Sequence, residues 1–501
     1  MRAFRVSLLV LLIVLAAGGI AGLIWLRPSP QSVTLPDGSA FMLLKMTHGT
    51  NHVLRFGSRW QDFLYPVLPH KLRMKYPPRV MQFIGNGPES VMVWFQREGV
   101  PSSDGNWPRV CLAVVDDHGL ESPFLLSPHA TRTLGASSST TGSSAGSPGA
   151  ASTQLSGWEV LDYPKRSGGF QLKIYGAGTD SQLADAGDVR IPKFSRREFP
   201  AWTAESLPAT RRSNGLDVTL TRLETGVAGA VSGAAPLGMV ARVFSRATFQ
   251  LRESGSVTED WSVSSIRLLS ATGITRYGDN KSAQWRDGKH TADLWGGLWL
   301  EEPAWKVQVD FARTANFPAE DLWGIRGVPV PQPGEMVEHR VVTNLHGEEL
   351  AFLGISGFKS AAGTPPGKTY ASIQVRTPYP LDDLSVVLVE ARDEQGHKAE
   401  ARGFTIETGT GGRGITLKES RIGFRIEIPQ GAESLNITLA ATQMRRVEFL
   451  AKPVPFGWHT NSVEGVRAPA PSGILTSTKP VKRRKSARPA GARRACRGDG
   501  E

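Results

Sequence analysis

Phe170-Gln171-Leu172-Lys173-Ile174-Tyr175 alternates strictly between apolar and polar side chains. Successive side chains of a β-strand point to opposite faces of its sheet, so this pattern predicts a strand with one face on a core. Residues 305–311 and 435–439 repeat the alternation. Because the three segments follow one another at similar spacing, they predict three tandem modules of similar build.

Each predicted module also has a middle strand that ends in a tight turn rich in Asp, Ser and Gly. These turns are Asp116-Asp117-His118-Gly119, Ser270-Ala271-Thr272-Gly273 and Asp393-Glu394-Gln395-Gly396. Turn residues recur throughout the chain, and no stretch of a module has the periodicity of a long amphipathic helix. This pattern predicts antiparallel β-sandwiches of the immunoglobulin-like kind.

The N-terminal segment 6–26 is an unbroken apolar run that follows Arg2 and Arg5. At 1.5 Å per residue such a helix is roughly 30 Å long, which matches the hydrocarbon thickness of a bilayer. The preceding arginines favour a cytoplasmic N-terminus. We therefore expect a single-pass signal anchor with the rest of the chain exported. A cleaved signal peptide ending near Gly19-Ile20-Ala21 is the alternative.

The expected fold is all-β, with one N-terminal transmembrane helix, three sandwich modules and a disordered basic tail. Module 1 is enlarged by an insertion at 59–79 and by a Ser/Gly-rich loop at 133–153. The predicted boundaries are 1–27 for the anchor, 32–200 for module 1, 210–328 for module 2, 335–452 for module 3 and 453–501 for the tail.

The insertion at 59–79 combines apolar, aromatic and basic residues with several prolines. Its large apolar side chains follow the spacing of one helical face, which Pro66 and Pro69 interrupt. They either cap the open end of module 1 or form a surface that docks on lipid or on a membrane partner. The predicted docking residues are Trp60, Phe63, Leu64, Leu68, Leu72 and Arg73.

The formal net charge of +12 is concentrated in the tail, where basic residues follow one another from Lys479 onward. Such a tail attracts anionic lipids or polymers, or acts only as a solubilising terminus. It has no interleaved aromatic side chains for base stacking, which disfavours nucleic acid as a partner. The predicted polyanion contacts are Lys482, Arg483, Arg484 and Lys485.

The sequence has no Gly-x-Ser-x-Gly, phosphate-loop or His-Glu-x-x-His motif, and we expect no cofactor, metal or catalytic residue. His48 and His52 are spaced for a metal but flank a glycine in a predicted loop. His118 beside Asp116 resembles a base with its orienting acid, although Asp-x-x-Gly is also typical of a tight turn.

Further acidic pairs occur at predicted strand ends, where solvated carboxylates are ordinary and a bound Ca²⁺ is the alternative. They are Glu301-Glu302, Glu348-Glu349 and Asp382-Asp383. Cys111 lies in an apolar run and Cys496 in the charged tail, so we expect no disulfide. An Arg497-Gly498-Asp499 tripeptide arises easily by chance in such a tail.

Leu35-Pro36-Asp37-Gly38-Ser39, followed by Thr47-His48-Gly49-Thr50-Asn51-His52, resembles a family of bacterial single-pass membrane-anchored envelope proteins. The likeness extends to Leu207-Pro208-Ala209-Thr210 and Val447-Glu448-Phe449-Leu450. It implies an exported, membrane-anchored protein and supplies no activity, ligand or catalytic residue. The basic tail departs from this family.

We expect a non-enzymatic envelope protein that displays its modules for protein or polymer binding. The alternative is an exported enzyme or carbohydrate-binding protein with a site built from loops. A cluster of exposed tryptophans would favour sugar binding, and Trp285, Trp295 and Trp299 are the candidates. A nucleic-acid-associated protein would require that residues 6–26 are not an export signal.

Overall fold

The computed structural model describes most of the chain between residues 31 and 456. The described residues are 31–56, 69, 79–100, 107–122, 128–134, 152–177, 183–192, 198–227, 244–279, 283–286, 288–358, 369–378, 383–411 and 415–456. They form β-sheets that are almost entirely antiparallel, which confirms the all-β class. Within these ranges no helix is long and apolar enough to cross a bilayer. The predicted anchor at 6–26 lies outside them.

Module 1 contains two sheets and a separate two-stranded ribbon. Five strands form a sheet in the order β1-β2-β5-β8-β7, three form a sheet in the order β10-β9-β6, and β3 pairs with β4. The strands are β1 (Ser32–Thr34), β2 (Ala40–His48), β3 (Asn51–Phe56), β4 (Arg79–Ile84), β5 (Val91–Gly99), β6 (Val110–Val115), β7 (Ala130–Leu134), β8 (Ser152–Val160), β9 (Gly169–Ala177) and β10 (Leu183–Pro192).

Module 2 begins with nine consecutive strands. They are β11 (Ala209–Ser213), β12 (Leu216–Val227), β13 (Phe244–Glu253), β14 (Ser256–Val257), β15 (Trp261–Ser270), β16 (Thr275–Asp279), β17 (Ala283–Arg286), β18 (Lys289–Trp295) and β19 (Trp305–Arg313). The larger sheet has the order β11-β12-β13-β18-β17, with β14 paired to β13. A short 3-10 helix, Ala319–Asp321, follows β19.

Module 3 follows this helix, and two further strands follow module 3. Its strands are β20 (Leu322–Pro329), β21 (Met336–Leu345), β22 (Glu348–Gly357), β23 (Thr369–Pro378), β24 (Leu384–Asp393), β25 (Glu400–Gly411), β26 (Ile415–Ile428) and β27 (Ser434–Gln443). They form sheets in the orders β21-β22-β23-β26-β25 and β20-β27-β24. The final strands are β28 (Arg445–Ala451) and β29 (Val454–Pro455).

The three alternating segments of the sequence occupy the same place in all three modules. They are β9, β19 and β27, and each lies inside the smaller sheet between two neighbours. In β19 the odd-numbered residues Trp305, Val307 and Val309 are buried, whereas Lys306 and Gln308 between them are partly exposed. These three predicted strands are therefore confirmed.

The three predicted turns are also equivalent in their hydrogen bonds. In each, the side-chain oxygen of the first residue accepts the backbone N–H of the fifth residue, at 2.7–3.0 Å. The N–H of the fourth residue, a glycine with positive φ, donates to the first carbonyl. Glycine is favoured there because other residues rarely adopt this backbone conformation. The first residues of the turns are Asp116, Ser270 and Asp393.

Modules 2 and 3 exchange a strand. In module 1, β10 follows β9 directly and pairs with it. The strand that follows β19 is β20, but it pairs with β27 of module 3. The strand that follows β27 is β28, and it pairs with β19 of module 2. Module 3 is therefore inserted into module 2, and the chain crosses twice between them.

The strand pairing corrects three predicted boundaries. Residues 447–450 do not complete module 3 but belong to β28 in module 2. Residues 322–328 belong to module 3 and not to module 2. The tail does not begin at 453, because β29 pairs in parallel with β12 and the N–H of Phe456 donates to the carbonyl of Thr225 at 2.8 Å.

The Ser/Gly loop is also shorter than predicted. Its first residues belong to β7 and its last to β8, and these strands pair with Leu134 opposite Thr153. The loop therefore connects two neighbouring antiparallel strands. Residues 135–151 lie outside the described ranges.

The ribbon formed by β3 and β4 adds a third layer to module 1. Its inward side chains Leu54 and Met81 form a small core with Met92, Trp94 and Leu155 on the outer face of the larger sheet. Strand β5 is consequently buried on both faces from 91 to 95. The predicted insertion at 59–79 therefore lies between the two strands of this ribbon, apart from Arg79, which begins β4.

Candidate functional site

A chain of buried hydrogen bonds fixes the base of the ribbon to module 1. His52 Nδ1 lies 2.8 Å from Thr47 Oγ1, and His52 Nε2 lies 3.1 Å from Ser90 Oγ. The Ser90 hydroxyl donates to Glu159 Oε1 at 2.5 Å. Glu159 also accepts the backbone N–H and the side-chain amide of Asn86 at 2.7 and 2.6 Å. These contacts join strands β2, β3 and β8 to the connection between β4 and β5.

The hydrogen-bond donors around His52 determine its tautomer and protonation state. The Trp94 indole N–H donates to Thr47 at 3.2 Å, so the Thr47 hydroxyl is free to donate to His52 Nδ1. The Ser90 hydroxyl proton is directed at Glu159, so Ser90 accepts from His52 Nε2. His52 is therefore the neutral tautomer with its proton on Nε2. Burial lowers its pKa, although the charge of Glu159 opposes this effect.

This arrangement does not fit nucleophilic catalysis. In a Ser-His-acid triad the serine proton goes to histidine and the acid binds the other ring nitrogen. Here the acid binds the serine, and all three side chains are buried. Gly85 closes the cluster, since a Cβ at this position would lie 2.7 Å from His52 Nε2. The cluster positions the ribbon.

A second buried cluster surrounds Arg97, which is only 2% exposed. Its guanidinium donates to Asp37 at 2.5 Å, to Ser39 at 2.9 Å and to the carbonyl of Pro108 at 2.5 Å. Burial alone would raise the pKa of Asp37, but hydrogen bonds from Ser39 and the charge of Arg97 lower it. Asp37 and Ser39, like Thr47 and His52, belong to the motifs that carry the family resemblance. Both motifs thus contribute side chains to buried hydrogen-bond clusters.

The pair His48 and His52 does not form a metal site. Both ring nitrogens of His52 have the hydrogen-bond partners described above, and His48 Nε2 lies 3.7 Å from Glu89 Oε2. The two histidines lie on the successive strands β2 and β3, which belong to different sheets, rather than in one loop. No group of three or more His, Cys, Asp or Glu residues within the described ranges could hold a metal ion.

His118 and Asp116 do not form a base with its orienting acid. Asp116 accepts the backbone N–H of His118 at 2.9 Å, as the tight-turn interpretation predicts. The ring of His118 lies 3.7 Å from Glu301 of module 2. The adjacent Glu302 is 1% exposed and pairs with Arg166 at 2.9 Å, so the expectation of two solvated carboxylates is wrong for this residue.

The three candidate tryptophans do not form one exposed surface. Trp299 is fully buried and its indole N–H donates to Asp162 at 3.1 Å. Trp285 contacts the buried His290 with its ring tilted by 59° and the ring centroids 4.4 Å apart. Trp295 is 37% exposed and lies on the opposite face of β18 from His290. Burial lowers the pKa of His290 to about 4, so its ring is neutral at pH 7.

The remaining predicted site residues lie outside the described ranges. These are the docking residues Trp60, Phe63, Leu64, Leu68, Leu72 and Arg73, and the polyanion contacts Lys482, Arg483, Arg484 and Lys485. Strand β3 ends at residue 56 and strand β4 begins at residue 79. The predicted docking residues therefore lie in the segment that connects the two strands of the ribbon.

Sequence reasoning missed Ser90, Arg97 and Glu159. Glu159 lies between two apolar residues, Trp158 and Val160, and that pattern is the available signal of buried pairing; Arg97 lies between Gln96 and Glu98 and has no such signal. Their partners are distant in the sequence, so the pattern does not identify them.

Comparison with known proteins adds no assignment. No protein-family model matches the chain, and no curated protein sequence matches it.

Proposed function

We propose that the protein is a single-pass, membrane-anchored envelope protein whose exported body is a binding scaffold without enzymatic activity. The apolar segment at 6–26 supports the anchor, and Arg2 and Arg5 support export of the body. The family resemblance of the first two motifs is consistent with this location. The scaffold would bind an envelope protein, an anionic polymer or the membrane surface.

The strand order supports an immunoglobulin-like architecture for the modules. Without β1 and the ribbon, module 1 has the orders β2-β5-β8-β7 and β6-β9-β10. When these seven strands are lettered A to G in the order of the sequence, the two sheets have the orders ABED and CFG, as in immunoglobulin constant domains. Modules 2 and 3 have the same order, with β28 and β20 as their last strands, once the additional strands β11, β14, β16 and β29 of module 2 and β21 of module 3 are left out. Such sandwiches often serve as recognition surfaces, which is an argument from the fold alone.

The connections between modules are the observation that carries the scaffold proposal. Modules 1 and 2 share one continuous apolar core, to which Leu120 and Trp299 contribute. Hydrogen bonds from Lys165 and Arg166 of module 1 to Thr272 and Glu302 of module 2 reinforce this contact. The strand exchange joins module 2 to module 3. Shared core and exchanged strands restrict movement between modules, which suits a rigid support.

The ribbon supports a role for the insertion in docking. It is held by its own small core and by the His52 hydrogen-bond chain, so both ends of the insertion are fixed. Binding through a segment with fixed ends loses less conformational entropy than binding through a free one. The carbohydrate-binding alternative receives no support from the tryptophans.

Replacing Trp60 and Phe63 with Ala tests the docking role. In the anchor-deleted protein we expect binding to vesicles that contain anionic lipid to fall at least several-fold, with an unchanged melting temperature. Large apolar side chains contribute roughly 1.5–3 kcal/mol each when they are buried in an interface. Co-sedimentation measures binding, and Trp295→Ala in module 2 is the control for loss of an exposed aromatic.

Unchanged vesicle binding of the double variant would contradict docking on lipid. A large fall in melting temperature would show instead that these side chains cap module 1.

A further inference from the structure

The turn at Asp116 has one oxygen more than the turn requires. Asp116 Oδ1 accepts both backbone N–H groups, from His118 at 2.9 Å and from Leu120 at 2.8 Å. Oδ2 is buried and has no hydrogen-bond partner among the described residues. In module 2 the same position is Ser270, whose single hydroxyl oxygen accepts the N–H of Ile274 at 3.0 Å. The turn therefore needs one acceptor only.

Module 3 also has an aspartate at this position, and there the second oxygen is used. Asp393 Oδ1 accepts the backbone N–H groups of Gln395 and His397, and Oδ2 lies 2.9 Å from His397 Nδ1. Among the three equivalent turns, the Asp116 turn is thus the one with a buried and unpaired carboxylate oxygen.

Asp116 lies at the junction between modules 1 and 2. After the turn, the backbone carbonyl of Glu121 accepts the N–H of Gly297 from module 2 at 2.8 Å. A Cβ at Gly297 would lie 3.0 Å from Leu120, so the two backbones approach closely here. Glu301 comes from the same segment of module 2, and its Oε2 is likewise buried without a hydrogen-bond partner in the described part of the chain.

The other charged groups around this pair have partners of opposite charge. They are Asp117 with Arg190, Glu121 with Lys173, Asp162 with Arg276 and Glu302 with Arg166. His118 faces the other oxygen of Glu301, with 3.7 Å between its Nε2 and Glu301 Oε1.

A buried carboxylate without a partner favours its neutral form. Burial, and to a smaller extent the charge of Glu301, raise the pKa of Asp116 to about 6, although the two backbone hydrogen bonds oppose the shift. A group whose pKa is raised in the closed state stabilises that state at low pH. This contribution is lost as the pH rises through about 6.

We propose that Asp116 and Glu301 form a proton-controlled latch between modules 1 and 2. The junction is closed when Asp116 carries a proton, and it opens more often when both carboxylates are charged. The proposal concerns the junction and does not depend on the docking role of the insertion.

Hydrogen exchange of the full-length protein in detergent, measured at pH 5 and pH 7.5, tests this latch. Peptides that cover residues 116–122 and 295–302 report opening of the junction, after correction for the intrinsic exchange rate. Asp116 has an ordinary pKa in the open state and a pKa of about 6 in the closed state. The equilibrium constant for opening of the junction should therefore increase about tenfold from pH 5 to pH 7.5.

Asp116→Asn keeps the acceptor for the turn and removes the charge, so this variant should be protected equally at both pH values. Glu301→Gln removes the repelling charge and should weaken the pH response. Asp393→Asn changes the equivalent turn in module 3 and should leave the response of the junction intact. Equal protection of the wild-type junction at both pH values would overturn the proposal. So would an Asp116→Asn variant that responds to pH as the wild type does.

Discussion

A fragment of residues 318–444 is expected to fold by itself, whereas a fragment of residues 335–452 is expected to remain unfolded. The first contains both complete sheets of module 3 and every residue of its core. The second lacks β20 and with it the buried side chains of Trp323, Ile325 and Val328. Burial of such side chains contributes roughly 1.5–3 kcal/mol each. Their combined loss is comparable to the whole stability of a typical domain, about 5–15 kcal/mol.

Circular dichroism and thermal unfolding of the purified fragments measure this difference. A third fragment, 318–452, is the matched control, because it adds β28 without removing β20. It should unfold cooperatively, as 318–444 does. It differs in that the apolar side chains of Val447 and Phe449 are exposed, because the module 2 core that covers them is missing. Cooperative unfolding of 335–452 at the temperature of 318–444 would contradict the strand exchange.

Trp94→Ala is expected to destabilise module 1 by roughly 3–5 kcal/mol, the usual cost of truncating a fully buried large aromatic residue. Trp94 is fully buried on the outer face of the larger sheet, under the ribbon. Its ring lies against Gly157, where a Cβ would come within 2.7 Å of it. Its indole N–H also donates to Thr47, the first member of the chain of hydrogen bonds that passes through His52.

Chemical unfolding of the full-length protein in detergent, followed by hydrogen exchange of peptides from β5 and β8, assigns the loss to module 1. Trp295→Ala is the control, since this partly exposed tryptophan in module 2 should change stability by less than about 1 kcal/mol. A loss below about 1 kcal/mol for Trp94→Ala would mean that the ribbon does not cover the sheet.

The strands that the sequence predicts best are those with a local signal. The alternation in β9, β19 and β27 is visible within seven residues, because one face of each strand meets a core and the other does not. The tight turns are equally local, since an acceptor side chain and a glycine three residues later determine them. Both features could therefore be predicted without knowledge of the tertiary structure.

The strand exchange could not be predicted in this way. Strands β20 and β28 each present an apolar face that suits the edge of either small sheet, and their local sequences do not encode a partner. The choice is made by tertiary contacts, such as those of Trp323 in module 3 and Phe449 in module 2. Proximity along the chain therefore suggested the wrong modules for both strands.

The ribbon was missed for a related reason. Gly49 indicated a loop between His48 and His52, whereas it allows the sharp connection between β2 and β3. The continuous apolar run at 91–95 was a usable signal, because such runs are typical of strands that are buried on both faces. It did not identify the second covering layer, since the residues of that layer come from separate parts of the chain.

Labelling of Cys496 tests most directly the proposal that the body of the protein lies outside the cytoplasmic membrane. Cys111 is fully buried and should not react in the folded protein, so a membrane-impermeant maleimide added to intact spheroplasts reports on Cys496 in the tail. Cys496→Ser is the control for specific labelling. We predict equal labelling of the wild type in intact and lysed spheroplasts. Labelling that appears only after lysis would contradict the account.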